Sequence, residues 1–171
     1  AAVFALGRVL GGFPIAAAGI SAGVVGGTAA LGRELFDWRV GAVAGVLVLA
    51  SPLFLVHSGV YLPYAVTAAF ELCFAVAYLR GERTGSRRMA ALAGVAIATA
   101  FFARPYTAVL FASPFILHAV VTLARSGAWR TPFADVTDRQ QELFVRRLLT
   151  AGLGMVGVVA ALAYNVLVTG E

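Results

Sequence analysis

The sequence predicts an all-α fold, a polytopic transmembrane helical bundle of about six spans. Apolar residues make up 61% of the 171 residues, charged residues only 12%, and the mean hydropathy is +0.91. A soluble domain is about 45–50% apolar and about 25% charged, so too few charges remain here to cover a water-facing surface. The sequence lacks the alternating pattern of a membrane β-barrel, which leaves helices as the spanning elements.

Six apolar blocks approach or exceed the roughly 20 residues that a helix needs to cross the hydrocarbon core. They occupy residues 10–32, 40–57, 61–80, 88–104, 106–125 and 147–168. The fourth block is the shortest, and Arg104-Pro105 joins it to the fifth. Because proline lacks the amide hydrogen that a continuing helix needs, we expect one helix to end there and the next to begin.

Along the chain, connections with many basic side chains alternate with connections that have few. All thirteen are arginine, and eleven fall in the linkers at residues 33–39, 80–88 and 125–147, which leaves only Arg8 and Arg104 elsewhere. Cytoplasmic loops of membrane proteins are enriched in arginine, so we expect these linkers in the cytoplasm and the chain in the plasma membrane. Arginines scattered among apolar blocks do not predict nucleic-acid binding, despite the net charge of +5.

The longest linker, at residues 126–147, contains a predicted helix start. Thr137 is followed three residues later by Gln140, which is the spacing of a capping box. Apolar residues such as Phe144 then lie among arginines, which predicts a short helix at the cytoplasmic interface before the last span. A solvated loop is the alternative.

We expect residues 1–171 to form a single transmembrane bundle that is a fragment of a longer protein. The sequence starts without methionine, shows no signal-peptide pattern and stops soon after an apolar block. Cys73 is the single cysteine and predicts neither an intrachain disulfide nor a cysteine-rich metal site. The lack of lysine excludes Schiff-base chemistry and a phosphate-loop lysine.

Glycines recur at four-residue spacing in the first two blocks. Gly19, Gly23 and Gly27 form one series, and Gly41 and Gly45 form another. Small faces of this kind let helices approach closely in lipid. The series therefore predict helix packing rather than a phosphate-binding loop, which needs a preceding strand.

The candidate binding residues cluster in the connections with few arginines. Arg104, followed by Tyr106, lies where two spans meet, and its guanidinium could bind a lipid phosphate in a forked geometry. A snorkelling anchor or an ion pair is the alternative for Arg104. His57, Tyr61 and Tyr64 flank the preceding outer turn, where tyrosines also occur simply as an aromatic belt and a histidine also caps a helix end.

Glu71 and His118 are the polar residues predicted to lie inside the membrane. Their distances from the inner face are similar, so the sequence allows a buried pair. Such a pair is typical of proton relays in transporters, and a structural pair or a water-filled cavity is the alternative. His57 and His118 differ too much in depth to share a metal ion.

Short motifs in sequence order resemble the membrane glycosyltransferases of the GT-C fold, in particular the family 39-like group related to protein O-mannosyltransferases and aminoarabinose transferases. The motifs are Gly32-Arg33-Glu34-Leu35-Phe36, Arg39-Val40-Gly41, Ser51-Pro52-Leu53-Phe54, Ser58-Gly59, Arg104-Pro105-Tyr106-Thr107 and Tyr164-Asn165. They extend over nearly the whole chain. Glu34 departs from the pattern, which usually has an arginine there.

The resemblance implies transfer of a sugar from a polyprenyl-phosphate carrier to an acceptor on the outer face. The family's catalytic acid lies in an outer loop that this sequence lacks, so it implies no catalytic residue here and allows a divalent metal only in the full-length enzyme. The implied partners are the lipid-linked sugar donor and membrane lipids. Arg104 and Tyr106 would contact the carrier, with His57, Tyr61 and Tyr64 in the cavity wall. A transporter or channel segment using Glu71 and His118, or a non-catalytic membrane scaffold, is the alternative.

Overall fold

The computed structural model describes residues 12–59, 63–125 and 138–170, and these residues are almost entirely helical, with no strand among them. The helices in this part of the chain are α1 (Phe13–Leu35), α2 (Trp38–Ala50), α3 (Pro52–Gly59), α4 (Pro63–Thr84), α5 (Arg87–Ala103), α6 (Pro105–Arg125) and α7 (Asp138–Thr169). The predicted all-α class is confirmed. Three segments are long and apolar enough to cross a membrane, namely Pro14–Leu35, Pro105–Arg125 and Gln141–Val168.

Helices α4 and α5 form the centre of the bundle. On one side α1 packs on α4 and α2 packs on α1, while on the other side α7 packs on α5 and α6 contacts both central helices. The buried positions are mostly alanines, such as Ala75, Ala93 and Ala100, whereas Leu117 and Leu167 are 64% and 84% exposed. Small residues inside and large apolar residues outside are typical of helices that pack in lipid.

The arginines of alternate connections meet at one end of the bundle, which we call the arginine-rich end. Glu34 closes α1 and accepts a hydrogen bond from Arg80 at 2.6 Å, with Arg83 at 3.2 Å. Arg87 at the start of α5 donates to Glu142 near the start of α7 at 2.6 Å. Glu34 therefore ties α1 to α4.

The second predicted span is broken. The apolar block at 40–57 forms two helices, α2 and α3, because Ser51 is extended (ψ 117°) and Pro52 has no amide hydrogen to donate. With 13 residues, α2 is too short to cross a bilayer alone. The blocks at 61–80 and 88–104 form α4 and α5, and neither helix is among the three segments that are long and apolar enough to cross a membrane. Glu71 and Arg80 lower the hydropathy of α4, and α5 has only 17 residues.

The predicted interfacial helix is not a separate element. Helix α7 begins at Asp138, beside the predicted start, and continues for 32 residues through the last apolar block. No proline or glycine occurs between residues 138 and 151, so nothing interrupts the helix before the span. Thr137 and the rest of the linker at 126–137 lie outside the described residues.

Close helix contacts confirm part of the predicted glycine packing. A Cβ at Gly41 would meet the backbone oxygen of Ala29, and one at Gly27 would lie 2.9 Å from the Cβ of Leu72. Nothing lies within 4 Å of such a Cβ at Gly19. The first series is thus only partly a packing face.

Candidate functional site

The turn between α5 and α6 consists of Arg104 alone. Its backbone is extended (φ −152°, ψ 90°), and its amide donates to Ala100 O at the end of α5. Pro105 begins α6, where the missing amide hydrogen costs nothing. The predicted sharp turn is therefore present, and it places Arg104 at the end of the bundle opposite the arginine-rich end.

Arg104 belongs to what we call the distal cluster, formed by His57, Tyr64 and Arg104. The guanidinium carbon of Arg104 lies 4.2 Å from the centre of the Tyr64 ring, a cation–π contact. The rings of Tyr64 and His57 meet edge to face with centres 5.8 Å apart. His57 Nδ1 donates to Leu53 O at 2.8 Å, which orients the imidazole. The structure therefore brings together three of the five residues predicted at this site.

The other two predicted residues differ in outcome. Tyr61 lies outside the described residues. Tyr106 is on the first turn of α6 and is 79% exposed. Within the described part of the chain, Arg104 makes no ion pair, so its guanidinium keeps its donors free of protein carboxylates.

Glu71 lies two turns below Tyr64 on the same face of α4. The residue is only 7% exposed, and its Oε1 has no hydrogen-bond partner among the described residues. The structure does not form the anticipated pair with His118, because His118 Nδ1 lies 2.9 Å from the hydroxyl of Tyr78 instead.

Glu71→Gln is expected to leave the thermal unfolding midpoint in detergent unchanged or raised. The amide keeps the side-chain volume and removes a buried group that has no counter-ion in hydrogen-bonding distance. Circular dichroism on heating would measure this. Glu34→Gln is a suitable comparison, since that carboxylate bridges two arginines. A larger loss at Glu71 than at Glu34 would contradict the described geometry.

A second polar group, which we call the buried arginine network, lies between α4 and α7 near the arginine-rich end. Arg147 donates to Glu82 Oε2 at 2.6 Å and also to the Tyr78 hydroxyl. Arg146 donates to Gly81 O, lies 3.8 Å from Glu82 Oε1 and leaves its Nε without a partner. Two guanidinium groups therefore share one carboxylate in a largely buried position.

Sequence reasoning missed this network, although a signal was present. Thr67, Glu71, Tyr78 and Glu82 recur at steps of four, seven and four residues, which places them on one face of a helix. That face points into the bundle, where Thr67 and Glu71 are buried. A polar stripe along a mostly apolar helix indicates where partner helices must supply charge.

An apolar cleft of about 430 Å³ separates α6 from α7. Phe74 of α4 and Ile97 of α5 line its base. Ile116 of α6 and Met155 of α7 line its two sides. The polar side chains on its lining are Tyr78, Arg147 and Thr150, all toward the arginine-rich end. The cleft can accommodate a hydrocarbon chain but offers few groups for catalysis.

The described residues contain no group of three or more metal-ligand side chains. The fold and these clusters define a helical membrane protein. It has a cation at its distal end (Arg104), a buried carboxyl group (Glu71) and an apolar cleft on its side. No protein-family model, curated protein or solved structure matches the chain.

Proposed function

We propose that this chain is the lipid-binding helical bundle of a GT-C membrane glycosyltransferase, which moves a sugar from a polyprenyl-phosphate carrier to an acceptor on the outer face. The observation that supports the proposal is Arg104. It is a guanidinium at the distal end of an apolar bundle, with an aromatic ring beneath it and no carboxylate paired with it in the described residues.

The chemistry of a lipid phosphate suits this position. A guanidinium presents five N–H donors in a planar fork that matches phosphate oxygens. Stacking on Tyr64 restricts the guanidinium plane, so less side-chain entropy is lost when phosphate binds. His57 lies behind Tyr64 and supplies a further polar surface for the phosphate or the sugar.

The proposal includes a location for each part of the reaction. With the arginine-rich end in the cytoplasm of the plasma membrane, Arg104 faces the outer side, where the sugar is transferred. The acid that activates the acceptor, and any divalent metal, would belong to residues of the full-length enzyme outside this sequence. The role of this bundle is then to bind and position the carrier.

Arg104→Ala is expected to weaken binding of a polyprenyl phosphate by about 10- to 100-fold, the loss of one or two charge-assisted hydrogen bonds. Titration of the purified full-length protein with a polyprenyl phosphate in detergent would measure the dissociation constant. Arg83→Ala is the control, because Arg83 is 67% exposed at the opposite end. Equal losses in both variants would contradict the phosphate assignment.

A transporter that uses Glu71 as a proton carrier is a second candidate function, favoured by the buried Oε1 of that residue, which has no hydrogen-bond partner in the described part of the chain. It does not use His118 as the partner, since Tyr78 contacts that imidazole. Proton-coupled uptake into vesicles that is abolished in Glu71→Gln, with polyprenyl phosphate binding unaffected by Arg104→Ala, would favour it over the transferase.

A further inference from the structure

The buried arginine network carries more positive charge than its neighbours neutralise. Arg146 and Arg147 are 7% and 11% exposed in their side chains and share only Glu82. Glu142, one turn before Arg146 on α7, is paired with Arg87. One positive charge is therefore uncompensated among the described residues, and in or near a membrane such a charge is costly unless an anion approaches.

The network also has N–H donors without a partner among the described residues. Nε of Arg146 is fully buried without a partner, and Arg146 lines a small cavity beside Glu82 and Thr150. Arg147 uses two of its five N–H donors on Tyr78 and Glu82. Arg147 lines this small cavity and the apolar cleft as well, so its guanidinium lies where the two meet.

The dimensions of the cleft indicate what kind of anion fits. Along α6 its lining extends from Ala108 to Leu123, which is about 22 Å at the helical rise. One leaflet of the hydrocarbon core is about 15 Å thick. The walls are apolar over this length, and the charged residue on the lining lies at one end. A charged head joined to a long hydrocarbon chain matches this arrangement, whereas a free anion would leave the cleft unused.

We propose that the cleft between α6 and α7 binds an anionic phospholipid of the leaflet at the arginine-rich end, with its phosphate at Arg147 and an acyl chain between the two helices. The phosphate supplies the negative charge that Glu82 alone does not. The acyl chain fills the apolar space that separates α6 from α7. This lipid differs from the carrier proposed at Arg104, which lies at the opposite end.

The test compares lipids that differ only in their head group. The full-length protein in detergent is titrated with phosphatidylglycerol and with phosphatidylcholine of the same chains, and bound lipid is counted by native mass spectrometry. We expect about tenfold tighter binding of phosphatidylglycerol. Equal affinity for the two lipids would overturn the proposal, as would inorganic phosphate binding as tightly as phosphatidylglycerol.

Matched variants locate the site. Arg147→Gln should abolish the preference for phosphatidylglycerol, and Arg88→Gln, an exposed arginine outside the cleft, should retain it. Ala151→Phe fills the cleft from α7 and should prevent binding even if Arg147→Gln fails to fold. Ala160→Phe, on the opposite side of α7, should bind normally. Unchanged binding in Ala151→Phe, or equal losses in Arg88→Gln and Arg147→Gln, would overturn the proposal.

Discussion

Gly157→Ala is expected to destabilise the protein by about 1–3 kcal/mol, although alanine is the better helix former. A Cβ at this position of α7 would collide with the Cβ of Ala98 on α5 and would lie 2.7 Å from its Cα. The obstacle is largely backbone and cannot move aside without separating the two helices. Unfolding in detergent, followed by circular dichroism, would measure the loss.

The control is five residues earlier on the same helix. A Cβ at Gly152 has nothing within 4 Å, so Gly152→Ala gains helix propensity and should stabilise the protein by up to about 1 kcal/mol. The two substitutions are chemically identical and should have opposite signs. Stabilisation by both would mean that α5 and α7 do not pack through Gly157.

Glu82→Gln should lower the free energy of unfolding by about 3 kcal/mol or more, because it leaves two buried guanidinium groups without a carboxylate. The glutamine retains nearly the same volume, so the loss reports charge rather than packing. Denaturant titration of the purified protein would give the value. Anionic lipid in the cleft should reduce the loss, since it supplies a negative charge beside Arg147.

Glu142→Gln is the matched comparison for Glu82→Gln. Its partner Arg87 is 61% exposed, so solvent screens the pair and the free energy of unfolding should change much less than in Glu82→Gln. Both substitutions remove a carboxylate that pairs with arginine between the central helices and α7. If they cost the same, the arginines at 146 and 147 would have to be as solvated as Arg87, contrary to their burial.

The helical class was predictable because backbone groups in hydrocarbon must bond within their own segment, so long apolar runs become helices. Pro52 indicated a helix break in the sequence, but the apolar residues on both sides of it led to the prediction of one continuous span. The packing of α5 on α7 could not be predicted, because the glycines in close contact with the facing helix, Gly94 on α5 and Gly157 on α7, belong to no regular series. Gly19 does belong to a regular series, and a Cβ there would still meet nothing within 4 Å.

The residues of the site were only partly predictable from the sequence. Distance along the chain gives the approximate depth of a residue in the membrane, and that was enough to group Arg104 with Tyr64 and His57. It was not accurate enough to pair Glu71 with His118. Tyr78 lies on the same face of α4 as Glu71 but two turns nearer the arginine-rich end, and its hydroxyl is the group that lies 2.9 Å from His118 Nδ1.

The central position of α4 and α5 has a consequence for biogenesis. Each helix leaves the ribosome in turn, and a helix with charged side chains enters lipid at a cost of about 2.5–3.5 kcal/mol for each charge near its middle. Helix α4 carries Glu71, and α5 is short, whereas α1, α6 and α7 contain the apolar segments that can insert unaided. We therefore expect α4 and α5 to wait beside the insertion channel until α7 has been synthesised. A stall in translation before Asp138 would leave Glu82 of α4 and Arg87 of α5 without their ion-pair partners on α7.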